Sequence, residues 1–290
     1  MFVSCGQSSA RYCLTAGQAP QPANRMGRLT RALGWFLSLL ARDSLRLPTD
    51  PIPEGWSGLI GEKVPLAARL SAPDKQRLCR IMQLFLRDVP IEGSAGLEVT
   101  EEIRVTIAAQ ACLLLLSMPY PKYTRLRRVL VYPSTFVPKT VQLPSSGQLV
   151  RPDVPLRGQA WKSGVVVLGW DAIERDTLVP TDGANVILHE FAHMLDAEDG
   201  SLDGIPVVES PSAYRTWARL VSAQFADHLA RVERGESTVL DPYGAENRAE
   251  FFAVATEAFY ETPVKLREAQ PDLYALLVDF FKIDPARLSP

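Results

Sequence analysis

The 290-residue sequence has no excess of charge of either sign: 31 Lys and Arg stand against 33 Asp and Glu, a formal net charge of -2. Phosphate backbones are bound through clustered Lys and Arg, so this balance gives no electrostatic case for direct nucleic-acid binding. Cysteine is scarce, and Cys5, Cys13, Cys79 and Cys112 form no CxxC or short Cys/His pair. That spacing argues against a zinc ribbon and a dense disulfide framework and fits a reducing compartment. Cys79 and Cys112 lie among apolar residues and are expected to pack as small core hydrophobes. Long apolar runs are missing as well. Ala32–Ala41 and Ala108–Leu116 both fall well short of the ~20 residues that cross a bilayer, so no transmembrane segment is expected. The first is followed by Arg42, Asp43, Ser44, Leu45 and Arg46 rather than by a small-residue cleavage site, and a cytoplasmic location is the expectation. No internal repeat of fixed period is present.

What is there is ordinary globular composition, 47% hydrophobic and 22% charged, enough to build a buried core. Residues 1–25, rich in Ser, Gln, Gly, Ala and Pro, read as a disordered leader, which makes Met26 a candidate start. In residues 26–46, Leu29, Leu33, Phe36, Leu37 and Leu40 recur at helical spacing, so Gly27–Arg42 is expected to form an amphipathic helix that docks on the body or, alternatively, on a partner or a membrane surface. Residues 1–46 carry six Arg and one acidic residue, Asp43. Residues 47–290 are expected to form a single domain with a helical N-terminal part. Pro48, Pro51, Pro53 and Pro65 favour an extended linker over Leu47–Pro65.

Beyond it the pattern is α+β and predominantly helical. Ser71 is placed to cap a helix through Leu78, Ile81, Met82, Phe85 and Leu86, and Thr100 a second one, apolar nearly all round, to about Leu116. Arg127–Tyr132 and Gly164–Leu168 read as strands, separated by a loop or hairpin over Pro133–Pro155. Thr181 or Asp182 is expected to cap the next helix, which carries His189, Glu190 and His193 and stops near Asp199-Gly200. Further helices are expected from Ser210-Pro211, from Asn247 to the stop at Pro263, and from Pro271 to Phe281.

Histidine, of which the chain has three, is concentrated where it can act. His189 and His193 are four residues apart and share a helical face, so two imidazole nitrogens can meet at one point, the geometry that suits zinc. Glu190, beside them, can take a proton from a water activated by the metal without itself being a ligand. A catalytic zinc usually keeps three protein ligands and an open position. The remaining histidine, His228, is expected to be a half-exposed helix residue, which leaves a carboxylate as the third ligand. Asp199 occupies the third-ligand position of the HExxHxxGxxH pattern, although Asp196 stands where that pattern needs Gly. Glu246, Glu250 and Glu257 are the alternatives on a later helix, and spacing alone does not choose among them. Asp196 can orient a ligand imidazole or close the helix end, and Glu257 can support the site or face solvent.

Gly158-Gln159-Ala160-Trp161, Gly164–Trp170, His189–Asp196, Tyr243 and Ala249-Glu250-Phe251-Phe252-Ala253-Val254 together resemble the Mlc titration factor A family. These are bacterial zinc peptidases related to the catalytic domain of anthrax lethal factor, and the resemblance runs from about Ser71 to the C-terminus. It implies a zincin-like metallopeptidase fold with a small β-sheet beside the HExxH helix. It implies one Zn2+ held by His189, His193 and Glu250, with Glu190 as general base and Tyr243 as a donor to the oxyanion. It also implies an aminopeptidase-type activity on a peptide or protein substrate or, alternatively, a regulatory protein that sequesters an Mlc-like transcriptional repressor. If Gly164–Leu168 is an exposed sheet edge, an extended peptide can add to it as a strand.

Overall fold

A computed structural model describes residues 47–118, 123–134, 141–142, 149–150 and 163–288. The leader, the amphipathic segment, Cys5, Cys13 and Gly158–Trp161 lie outside the described residues. Three parallel strands, β1 (Ile91–Gly93), β2 (Arg128–Tyr132) and β5 (Val165–Gly169), form a sheet in the order β1-β2-β5. Within the Pro133–Pro155 stretch, β3 (Val141–Gln142) and β4 (Leu149–Val150) form a short antiparallel pair. In the larger sheet Val129 pairs with Val166 and Val131 with Leu168, all four buried, so the β-branched alternation read from the sequence sets the register. β1 has only three residues and no strand periodicity to announce it.

The helices are α1 (Trp56–Lys63), α2 (Pro65–Ala68), α3 (Ala72–Asp88), α4 (Glu101–Leu113), α5 (Trp170–Leu178), α6 (Val186–Asp196), α7 (Pro211–Glu233), α8 (Arg248–Glu261), α9 (Pro263–Ala269) and α10 (Pro271–Phe281). Ser71, Thr100, Ser210 and Asn247 cap α3, α4, α7 and α8 through their side chains, as expected. Every residue of α4 from Val105 to Leu113 is buried, Cys112 among them, and Cys79 is buried on α3. No helix among the described residues is long and apolar enough to cross a membrane.

Two local expectations are corrected. Leu47–Pro65 is not all linker, because Trp56–Lys63 is helical. Its prolines fall before α1 and at the first position of α2, where a missing N–H costs nothing. The buried Trp56 ties α1 to α4 by donating Nε1–H to Glu101 at 2.7 Å. The cap of α6 is Asn185, not Thr181 or Asp182. Its Oδ1 accepts from Leu188 N–H at 3.1 Å, whereas Asp182 closes the preceding turn by accepting from Ala184 N–H.

The helix α6 sits at the centre, packed against α8, β5 and α4. Phe191, fully buried, meets Tyr123 at 5.0 Å and Phe85 at 5.8 Å between ring centroids. Burial of such a side chain contributes about 1.5–3 kcal/mol. The C-terminal end of α6 runs through a single 3-10 turn to Gly200, in the left-handed conformation anticipated for the stop. There Asp196, completely buried, accepts from Gly204 N–H at 2.9 Å and Ile205 N–H at 3.0 Å. It therefore closes the helix end and does not orient an imidazole. Gly204 in turn accepts from Trp217 Nε1–H at 2.9 Å, which joins α6, the following loop and α7.

Gly204 has φ +74°, and a Cβ there would stand 2.2 Å from the carbonyl oxygen of Arg248 at the start of α8. Gly204→Ala is expected to cost at least about 2–4 kcal/mol in urea unfolding, from left-handed strain plus a backbone clash. Gly235→Ala, at φ +70° with nothing within 4 Å, is expected to cost only the strain of about 1 kcal/mol. Equal losses in the two variants would remove the junction from this account.

Candidate metal centre

All residues of α6 from Ile187 to Asp196 are buried, although the segment contains two imidazoles and two carboxylates. Burying such groups is costly unless each is partnered. The partners lie on α8. His189 Nε2 is 3.0 Å from Glu250 Oε2, His193 Nε2 is 3.3 Å from the same oxygen, and the two Nε2 atoms are 3.2 Å apart. Three potential ligand atoms thus converge on one point, and the group is able to hold a metal ion.

The tautomer follows from the next contact. His189 Nδ1 lies 2.6 Å from Glu257 Oε1. With the Nδ1 proton donated to that carboxylate, Nε2 turns its lone pair toward the common point. Glu257 also accepts from Asn185 N–H through Oε2 at 2.6 Å, so both its oxygens are engaged and the carboxylate is fixed. Glu257 therefore supports the site; it does not face solvent.

The electrostatics call for a positive charge at this point. Burial pushes the His189 imidazole down, but Glu250 and Glu257 on its two ring nitrogens carry it up to about 10. Burial likewise pushes Glu250 up, and the contacts with His189 and His193 outweigh it and hold the carboxyl at about 2. In this pairing His189 itself carries the positive charge, and the neutral tautomer with a bare Nε2 is the form that a metal would require.

Glu190 is buried on α6 one residue beyond His189. Tyr243, half-buried, sits in a 3-10 turn over Pro242–Ala245, its ring centroid 5.9 Å from that of His189. Asp241 holds that turn by accepting from Tyr243 N–H at 2.8 Å. From beneath, His228 Nε2–H donates to the Asp241 carbonyl at 3.2 Å, and the ring packs 5.7 Å from Phe251. His228 is fully buried, which corrects the expectation of a half-exposed residue. It sits away from the His189–His193–Glu250 group and holds the turn that carries Tyr243.

The remaining alternatives separate cleanly. Asp199 lies in the 3-10 turn past α6 and accepts from Ser201 N–H, apart from the converging atoms. Glu246 is exposed. Asn185 and Glu261 are the polar partners that the sequence reading passed over. Asn185 Nδ2–H donates to Glu261 Oε1 at 2.9 Å. The signal was present as periodicity: Asn185, His189 and His193 recur every four residues on α6, while Glu250, Glu257 and Glu261 form one stripe on α8.

Replacement of His228 by Leu, of similar volume, leaves the Asp241 carbonyl without its donor. An expected loss of about 1–3 kcal/mol in chemical denaturation follows; no loss would mean that the contact does not hold the turn.

Comparison with known proteins agrees with this geometry. Residues 39–282 match the family described as glucose-regulated metallo-peptidase M90. An uncharacterized protein of Synechocystis sp. is 36% identical over 236 residues, covering 81% of this chain and 86% of the relative. Mlc titration factor A of Pectobacterium atrosepticum is 31% identical over 243 residues, 81% of this chain and 88% of that protein. The Mlc titration factor A of Klebsiella pneumoniae strain 342 is 29% identical over 225 residues, with 77% and 84% covered. With a helical α+β fold that brings two histidines and a glutamate of the matched region to one buried point, the chain belongs to the M90 metallo-peptidases, the family of the Mlc titration factor A proteins.

Proposed function

We propose that the chain is a zinc-dependent peptidase of aminopeptidase type acting in the cytoplasm, with His189, His193 and Glu250 as the metal ligands. The carrying observation is the triangle of 3.0, 3.2 and 3.3 Å between the three ligand atoms. In a tetrahedral zinc site with bonds of ~2.0–2.1 Å, neighbouring ligand atoms stand about 3.3–3.4 Å apart. The donor set, two imidazoles and one carboxylate, is the His₂Glu set of catalytic zinc, which in such sites keeps a further position for water. Bound there, zinc would supply Lewis acidity, lowering the pKa of water and polarising a carbonyl.

The protein's own groups do the rest. Glu190, on the same turn of α6 as His189, accepts the proton of the attacking water and hands it to the leaving amine nitrogen. Tyr243 directs its hydroxyl toward the oxyanion, a stabilisation that acts mainly in the transition state. Glu257 holds His189 in the required tautomer. Among the described residues β5 is at the sheet edge, paired only with β2, and it packs on α6. An extended peptide can add to that edge and be held by its backbone, independently of side-chain identity.

The name shared by several relatives, Mlc titration factor A, supports a second role, binding of an Mlc-like repressor protein. Glu190→Gln separates the two. Peptide hydrolysis by the purified variant is expected to fall about 10²–10⁴-fold with metal content unchanged; undiminished hydrolysis would show that Glu190 is not the base. Retained repressor binding in the same variant would show that the roles are independent, and binding lost with hydrolysis would tie them to one site. Tyr243→Phe is expected to lower kcat about 10²–10³-fold with KM little changed, and a rise in KM alone would assign Tyr243 to substrate binding instead.

A further inference from the structure

The contacts between α6 and α8 do not end at Glu257. Every polar group of Asn185 is engaged: Oδ1 caps α6 at Leu188 N–H, the backbone N–H holds Glu257 Oε2, and Nδ2–H donates to Glu261 Oε1. The orientation of the Asn185 amide is therefore set from the far side by Glu261. A rotation of that amide would remove both the cap and the Glu261 contact, and a displaced Asn185 backbone would release the carboxylate that holds His189 Nδ1.

Beside Glu261 lies a small pocket of about 50 Å³ whose wall includes Asn185, Glu261, Asp176, Gln110 and Tyr260 among apolar side chains. Gln110 Oε1 and the Tyr260 hydroxyl are buried there without a protein hydrogen-bond partner. Gln110 is 4% and Tyr260 2% exposed. Buried polar atoms are almost always paired, and a pocket that offers roughly 10–15 Å³ per molecule beside several polar groups is large enough to hold water.

We propose that Asn185 and Glu261 are positioning residues for His189, acting through Glu257, and that water in the adjoining pocket pairs the Gln110 and Tyr260 groups beside them. The proposal rests on the reading of His189 as a metal ligand. It extends the working part of the centre along the whole seam between α6 and α8, to groups that touch neither metal nor substrate. Burial and the neighbouring Asp182, Asp176 and Glu257 carboxylates push Glu261 up to about 8, against the opposing hydrogen bond from Asn185. A protonated Glu261 still accepts from Asn185 through its carbonyl oxygen, a role that a glutamine amide reproduces.

The test is zinc affinity of the full-length protein by chelator competition at pH 7.5. Glu261→Ala and Asn185→Ser, the latter keeping a side-chain cap, are each expected to bind zinc about 10-fold more weakly, at the lower end of outer-partner effects. Glu261→Gln is expected to stay within about twofold of wild type. Wild-type affinity in both Glu261→Ala and Asn185→Ser, or a Glu261→Gln variant as weak as Glu261→Ala, overturns the positioning role. Failure of the wild type to take up zinc overturns the metal reading and this proposal with it. Should the variants not fold, a high-resolution crystal structure of the wild type decides: water paired with Gln110 Oε1 and the Tyr260 hydroxyl is expected, and a dry pocket contradicts it.

Discussion

The structure turns on the need to balance charge inside one helix–helix seam. Two imidazoles of α6 and the Glu250 and Glu257 carboxylates of α8 are packed together in the core. Such a set is unfavourable in an apolar interior unless a positive charge sits among the negative ones and each remaining lone pair finds a donor. A second proton on His189 meets that need, and a divalent metal at the convergence point would displace the Nε2 proton and face all three donors at once. The elements around the seam exist in positions that keep it closed. Asn185 caps one end of α6, Asp196 and Gly204 latch the other, and Asn247 starts α8 three residues before Glu250.

Function follows from how little of this can move. The imidazole of His189 is fixed through Glu257 at one nitrogen and aimed at the centre with the other, so metal binding would cost little reorganisation. Glu190 shares the same rigid helix. Tyr243, by contrast, stands on a short turn held by Asp241 and His228, a separate support beside the His189 ring. Among the described residues, β5 ends the sheet next to α6. The candidate ligands thus stand on packed helices, whereas Tyr243 stands on a short turn.

Much of this was legible in the residues. The caps Ser71, Thr100, Ser210 and Asn247 were readable because each is a small polar residue just before a periodic apolar run. The strands around Val129–Val131 and Val165–Val167 were readable from β-branched clustering between Pro and Gly. The HExxH spacing placed His189 and His193, and resemblance alone pointed to Glu250 among the carboxylates, whose side chain the fold brings beside the two imidazoles. Other features depend on tertiary contacts that local patterns do not encode. The helix Trp56–Lys63 is anchored by Trp56 to Glu101, forty-five residues away, and its surrounding prolines masked it. His228 looked amphipathic by position, yet its burial is decided by the turn at Asp241. Asn185 was overlooked for Asp182, since both are good capping residues and only the packing of α6 on α8 selects between them.

Anomalous diffraction at the zinc absorption edge, from crystals of the wild-type protein grown with zinc, tests the central claim most directly. A single strong peak is expected ~2.0–2.1 Å from His189 Nε2, His193 Nε2 and a Glu250 carboxylate oxygen. A peak bound by other residues, or none at this point with the three side chains ordered as described, would contradict it.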